Sequence, residues 1–223
     1  KKRPLTNTSI DRKRHPLDLR PAFKKPSAFG YILAYGAHSY ELFALRTWCF
    51  AFLVFLATNV EVSPDLSLIT VIVSVITLTG MFSSLIGAHF CLKFGRHKVI
   101  AIVGGCAAIM SLIVSLSLKN NFWTVVIFIW FYHSLIMMDS GSLTAGTVEE
   151  GDATDRGALL AVHSMVGFGG GALGGPIVGY VLDYNGGSDF SVAWFYALLA
   201  MGMGSFFVFL IQFYFFKKNK INQ

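Results

Sequence analysis

The segment GALLAVHSMVGFGGGALGGPIVGYVLD, residues 157–183, admits two opposite readings. Its glycines could cradle a phosphate between a strand and a helix, or they could be the small residues of a helix packed inside a membrane. The surroundings decide. The glycines lie within an apolar run long enough to cross a bilayer, not after a strand, and this removes the dinucleotide-binding reading. Gly167, Gly171, Gly175 and Gly179 recur every four residues and so form one ridge of a helix. Such a ridge lets neighbouring backbones approach where lipid offers no hydrophobic drive to associate. Pro176 removes one backbone hydrogen bond, and the glycines beside it ease bending. Ordinary helix packing accounts for each glycine taken singly.

The rest of the chain agrees with a membrane setting. Of 223 residues, 54% are hydrophobic and 13% charged, whereas soluble domains run about 45–50% and about 25%. After Pro26 the apolar residues fall into six runs, roughly 27–58, 66–90, 99–118, 122–147, 158–182 and 191–216. Each reaches the ~20 residues that span a ~30 Å hydrocarbon core as a helix. The first exceeds that length, so it is expected to tilt, kink near Gly36 or protrude. Cys49, Cys91 and Cys106 fall in or beside these runs with no metal or disulfide spacing, and read as small packing residues.

Charge sets the orientation. With the basic segment 1–26 placed in the cytoplasm, Lys93, Arg96, Lys98, Arg156, Lys217, Lys218 and Lys220 also fall inside. The outside loops then hold Lys119 as their single cation, beside Glu61, Asp65, Asp183 and Asp189. This asymmetry is what the positive-inside rule demands, and it puts both termini in the cytoplasm, with residues 217–223 as a tail. Segment 1–26 is a solvated membrane flank on this reading; a nucleic-acid tail is the less apt alternative. The acids Glu149, Glu150, Asp152 and Asp155 read first as a solvated inner loop. A gate pairing with Arg156 or Arg96 is the sharper option.

Ionisable residues inside the runs are the candidate working parts. On a helical wheel of about 100° per residue, Tyr31, Tyr35, His38, Glu41 and Arg46 share an arc of about 140°. Glu41 and Arg46 stand at its two edges, while Leu33, Phe43 and Phe50 belong to the remaining surface. Ionisable residues face a bundle interior or a watery cavity, because lipid exposure costs several kcal/mol. The stripe is therefore expected to line a pathway. Glu41 and Arg46 lie too far apart around the helix to pair easily, so each needs a partner on another helix or on substrate. Asp139 is the second intramembrane acid, with Tyr132 on nearly the same face and His133 beside it.

The turn GAHFCLKFGRHKVI, residues 87–100, carries a family resemblance. It resembles the cytoplasmic loop motif G-x-x-x-D-x-x-G-R-R/K of the major facilitator superfamily. Gly95 and Arg96 match its G-R, and Lys93 matches the basic residue after its acid. Leu92 replaces the Asp, Ala88 the first Gly and His97 the second basic residue. The G-x-x-x-G-P-x-x-G of the fifth run is similar to the glycine-proline signature on the second helix of a superfamily three-helix repeat. Residues 31–48 and 139–168 resemble the carboxyl-terminal half of bacterial members. The resemblance implies an all-α, six-helix, 3+3 inverted-repeat half of a twelve-helix fold, with helices one and four of the six lining the cavity. It also implies that the amino-terminal half is absent, and that the chain sits in the cell's inner (plasma) membrane.

No Walker-type loop, zinc spacing or nucleophile elbow occurs, so no cofactor, metal or enzyme chemistry is called for. The expected activity is secondary transport of a small solute, proton-coupled through Glu41 and Asp139. A membrane enzyme or a membrane-embedded assembly subunit is the alternative.

Overall fold

The computed structural model of the protein describes residues 18–58 and 64–221. The basic segment 1–17, Glu61 and the final two residues lie outside the described residues. The described chain is all helix: α1 Arg20–Lys24, α2 Pro26–Ala57, α3 Leu66–Phe94, α4 Arg96–Leu116, α5 Phe122–Glu149, α6 Arg156–Tyr184 and α7 Ser191–Ile221. Helices α2 to α7 are each long and apolar enough to cross a membrane. Asp65 caps α3 by accepting from the Leu68 N–H at 2.7 Å, and Asn121 caps α5 through the Trp123 N–H at 2.9 Å.

The packing follows an internal exchange of α2, α3, α4 with α5, α6, α7. Helix α2 packs extensively on α6 as α5 does on α3, α2 meets α7 as α5 meets α4, and α2·α5 and α4·α7 map onto themselves. This is the contact scheme of a 3+3 repeat. The surface is inverted relative to a water-soluble protein. Leu78, Phe82, Leu85 and Leu92 on α3 and Met165, Phe168 and Tyr180 on α6 are exposed, whereas Glu41, His133, Asp139 and Gln212 are buried. Near the end of α2, the fully buried Trp194 packs among Trp48, Phe52 and Phe55 and closes that end with apolar side chains.

Glycines set the closest crossings. On α6, the ridge Gly167, Gly171, Gly175 and Gly179 faces α2 side chains: Tyr35, Phe43, Thr47 and Trp48 in turn. The backbones themselves touch one row over, where a Cβ on Gly170 or Gly174 would overlap the carbonyl of Gly36 or Tyr40. The repeat-related crossing uses the same device, for a Cβ on Gly87 would overlap the Met138 carbonyl on α5. Helix α2 runs unbroken from Pro26 to Ala57, and its Gly36 receives Val166 of α6. Pro176 lies within the continuous α6, and its neighbour's carbonyl, Gly175 O, accepts from Trp48 Nε1 at 2.9 Å. Of the cysteines, Cys49 and Cys91 are buried, but Cys106 is exposed and packs nothing inward.

Between α3 and α4 a single residue makes the turn. Gly95 has φ +91°, and its N–H reaches Cys91 O at 3.0 Å while its carbonyl accepts from Val99 at 3.1 Å. Only a residue without a Cβ adopts this backbone cheaply, which is the physical content of the G-R pair.

Candidate functional site

Helices α2 and α5 run antiparallel through the bundle and carry the two acids. Glu41 is fully buried, and its Oε1 accepts from the Tyr132 hydroxyl at 2.5 Å. Its second oxygen, Oε2, has no directed hydrogen bond, although Ser205 of α7 stands close by. Helix α7 closes against it at Gly204, where a Cβ would come within 2.6 Å of both Glu41 Cβ and the Ala37 carbonyl. One helical turn along α2, His38 Nδ1 stands 2.7 Å from Asp139 Oδ1 with both side chains buried. That contact is one of proximity, since Asp139 Oδ1 receives no directed hydrogen bond. The orphaned atoms gather on α2 and α5: Glu41 Oε2, Asp139 Oδ1, Ser142 Oγ and both ring nitrogens of His133. Buried polar groups are ordinarily satisfied, so this concentration sets the region apart from the rest of the described core.

The remaining candidates divide between interior and surface. Tyr35 is half-buried and stacks on His163 of α6 at 3.8 Å between centroids, with His38 at 5.8 Å. Arg46 turns out of the bundle, is exposed, and has Met137 Sδ at 3.9 Å as its polar neighbour. None of the ion pairs among the described residues includes it. The expected separation of Glu41 from Arg46 thus has a structural form, one pointing inward and the other outward. The stripe is consequently not an open wall: His38 and Glu41 face the interior of this six-helix bundle.

At the α3–α4 turn, Arg96 holds Glu149 at the end of α5, with Nε 3.1 Å from Oε2 and a closer Nη2 contact to Oε1. Lys25 reaches Asp152 at 2.8 Å and Asp155 at 3.3 Å. The hydrogen bond from Lys25 to Asp152 raises the Lys25 pKa. Glu149, Asp152 and Asp155 are therefore engaged and not merely solvated, because the start of α2 and the α3–α4 turn both bring cations to them. Lys93 instead lies over the Phe94 ring at 5.2 Å.

Two groups escaped the sequence reading. His163 lies one four-residue step before Gly167, so extending the glycine ridge backward would have found it. Its Nε2 is 3.1 Å from Thr144 Oγ1 and its Nδ1 3.1 Å from Thr147 Oγ1. Near the α3–α4 turn, His97 Nδ1 meets Gln212 Oε1 at 2.7 Å, Gln212 Nε2 donates to Gly30 O at 3.2 Å, and Tyr31 stacks on the His97 ring. No local sequence signal pairs residues so far apart.

Six spanning helices in a repeated packing scheme, apolar outside and acidic within, define a multi-pass membrane protein with a polar interior. The chain belongs to the major facilitator superfamily, whose family profile matches residues 9–222. Members of that superfamily carry small solutes across membranes and are transporters, not enzymes. Neither the curated proteins nor the solved structures offer a match to this chain.

Proposed function

We propose that the chain is the carboxyl-terminal six-helix half of a twelve-helix secondary transporter, moving its solute by alternating access and drawing on protons. The observation that carries the reading is the pair of buried acids, Glu41 on α2 and Asp139 on α5. Each has an oxygen lacking a directed hydrogen bond, and among the described residues neither is bonded to Lys or Arg. Buried acids without a Lys or Arg partner are the kind of intramembrane group that serves proton relays. The exposed Arg46 in the spanning helix α2 supports a partner half or an aqueous cleft over that face, since lipid exposure of a guanidinium costs several kcal/mol. Tyr35, His38 and Tyr132 complete the proposed pathway, and Lys93, Gly95 and Arg96 form the proposed inner turn.

The test needs no knowledge of the solute. Infrared difference spectra between high and low pH, taken on the reconstituted protein, should show a protonated-carboxyl band that weakens in Glu41→Gln and in Asp139→Asn. Spectra identical to wild type in both variants would end the proton reading.

The proposed orientation puts both termini in the cytoplasm of a cell bounded by this inner membrane. In a cysteine-free background, single cysteines at Asp65 and Gly187 should react with an impermeant thiol reagent in intact cells. Cysteines at Lys98 and Lys218 should react only after permeabilisation. The reverse pattern would invert the topology.

A further inference from the structure

We propose that His163 is a further protonatable site of this pathway, carried by α6 and built to hold an imidazole in its neutral and its charged form alike. The inference rests on the proton-coupled reading above and adds a residue and a helix to it.

Hydrogen-bond direction supplies the argument. Thr147 Oγ1 lies 3.0 Å from the Leu143 carbonyl, nearer than the 3.5 Å between Thr144 Oγ1 and Ser140 O, so Thr147 is the hydroxyl better placed to give its proton to a carbonyl. With that proton directed to Leu143 O, Thr147 accepts from the ring and His163 Nδ1, at 3.1 Å, carries the hydrogen. In the neutral ring Nε2 is consequently the bare nitrogen, and it accepts from the Thr144 hydroxyl at 3.1 Å. When a proton arrives at Nε2, the new N–H donates to Thr144 Oγ1. The Thr144 hydroxyl proton rotates to the Ser140 carbonyl, which already stands 3.5 Å away. One hydroxyl rotation therefore keeps every polar atom of this group partnered in both states. No heavy atom needs to move.

The surroundings fit a charge that comes and goes. From α2, Tyr35 covers the ring at 3.8 Å, a geometry that favours a cation over an aromatic face, and His38 lies beyond it, held against Asp139. From α5 come the two threonines. The two imidazoles both stack with one tyrosine ring, so a proton on one disfavours a proton on the other. His133 provides the contrast. It is as deeply buried, yet both its nitrogens lack partners, so nothing there would receive an imidazolium.

The experiment is nitrogen-15 NMR of the histidine side chains in the reconstituted full chain, titrated with pH, with His163 assigned through His163→Gln. The neutral form should be the Nδ1–H tautomer, and His163 should titrate within the measured range. Thr144→Val removes the hydroxyl that serves both states, so the His163 midpoint should fall by at least about one pH unit, a tenfold loss of proton affinity. Thr144→Ser should restore it, which a merely structural role would not require. An Nε2–H tautomer, a ring that never titrates, or a midpoint unmoved in a folded Thr144→Val would each overturn the proposal. The carboxyl infrared band of Glu41 and Asp139 is read independently, so failure at His163 is distinguishable from failure of proton coupling itself.

Discussion

Gly87→Ala is expected to lower the yield of folded protein severalfold and to destabilise what remains by about 2 kcal/mol or more. The added methyl would overlap the Met138 carbonyl and lie 2.6 Å from its carbon and 2.8 Å from Met138 Cα. The obstacle is backbone, which cannot rotate aside as a side chain can, so α3 and α5 must separate along their crossing. Replacing Gly by Ala within a helix ordinarily gains about 0.5–1 kcal/mol, and here the clash must exceed that gain. Gly170→Ala and Gly174→Ala should behave alike at the related α6–α2 crossing, against the carbonyls of Gly36 and Tyr40. The control is Gly169→Ala, one residue away on α6, where a Cβ meets nothing within 4 Å. It should be neutral or slightly stabilising. The measurement is the monodisperse fraction on detergent size-exclusion chromatography, with the thermal midpoint of each variant. Wild-type behaviour of Gly87→Ala would mean that the helices do not cross at that depth.

These glycines show where the sequence was legible and where it was not. Apolar runs and charge asymmetry are properties of single segments, and they located six spanning helices without reference to one another. The ridge of Gly167, Gly171, Gly175 and Gly179 was equally visible, because a period of four is written along one helix. Which row meets the partner's backbone is a property of two helices together. On α6 the closest backbone contacts fell to Gly170 and Gly174, off the visible ridge. The same division runs through the site. That His38, Glu41 and Asp139 must avoid lipid follows from their chemistry alone. That Glu41 would meet Tyr132 and Asp139 would meet His38 depends on the antiparallel register of α2 and α5, about a hundred residues apart. Glu149 and Arg96 are a third instance: acids in a loop read as solvated until a turn from elsewhere delivers a cation.

The register matters most for Glu41. In the complete transporter, Glu41→Gln is expected to abolish uphill accumulation while leaving downhill exchange measurable. One pH unit across the membrane is worth about 1.4 kcal/mol, so one proton per solute sustains about a tenfold accumulation. With a side chain that cannot ionise, that ratio should fall to about one. Folding should survive, for two structural reasons. The Gln carbonyl can still accept from the Tyr132 hydroxyl that now donates to Oε1 at 2.5 Å. No Lys or Arg is paired with Glu41 among the described residues, so removing its charge strands no buried cation. A structural Glu41 would show the opposite pattern, with folded protein lost and the transport question moot. Glu41→Ala separates the two further, since it also deprives the buried Tyr132 hydroxyl of its acceptor and should reduce stability by about 1–3 kcal/mol where Glu41→Gln does not. The measurement is pH-gradient-driven uptake beside folded yield for both variants. Normal yield with tenfold accumulation intact in Glu41→Gln would remove this carboxyl from proton coupling and leave Asp139 as the remaining acidic carrier.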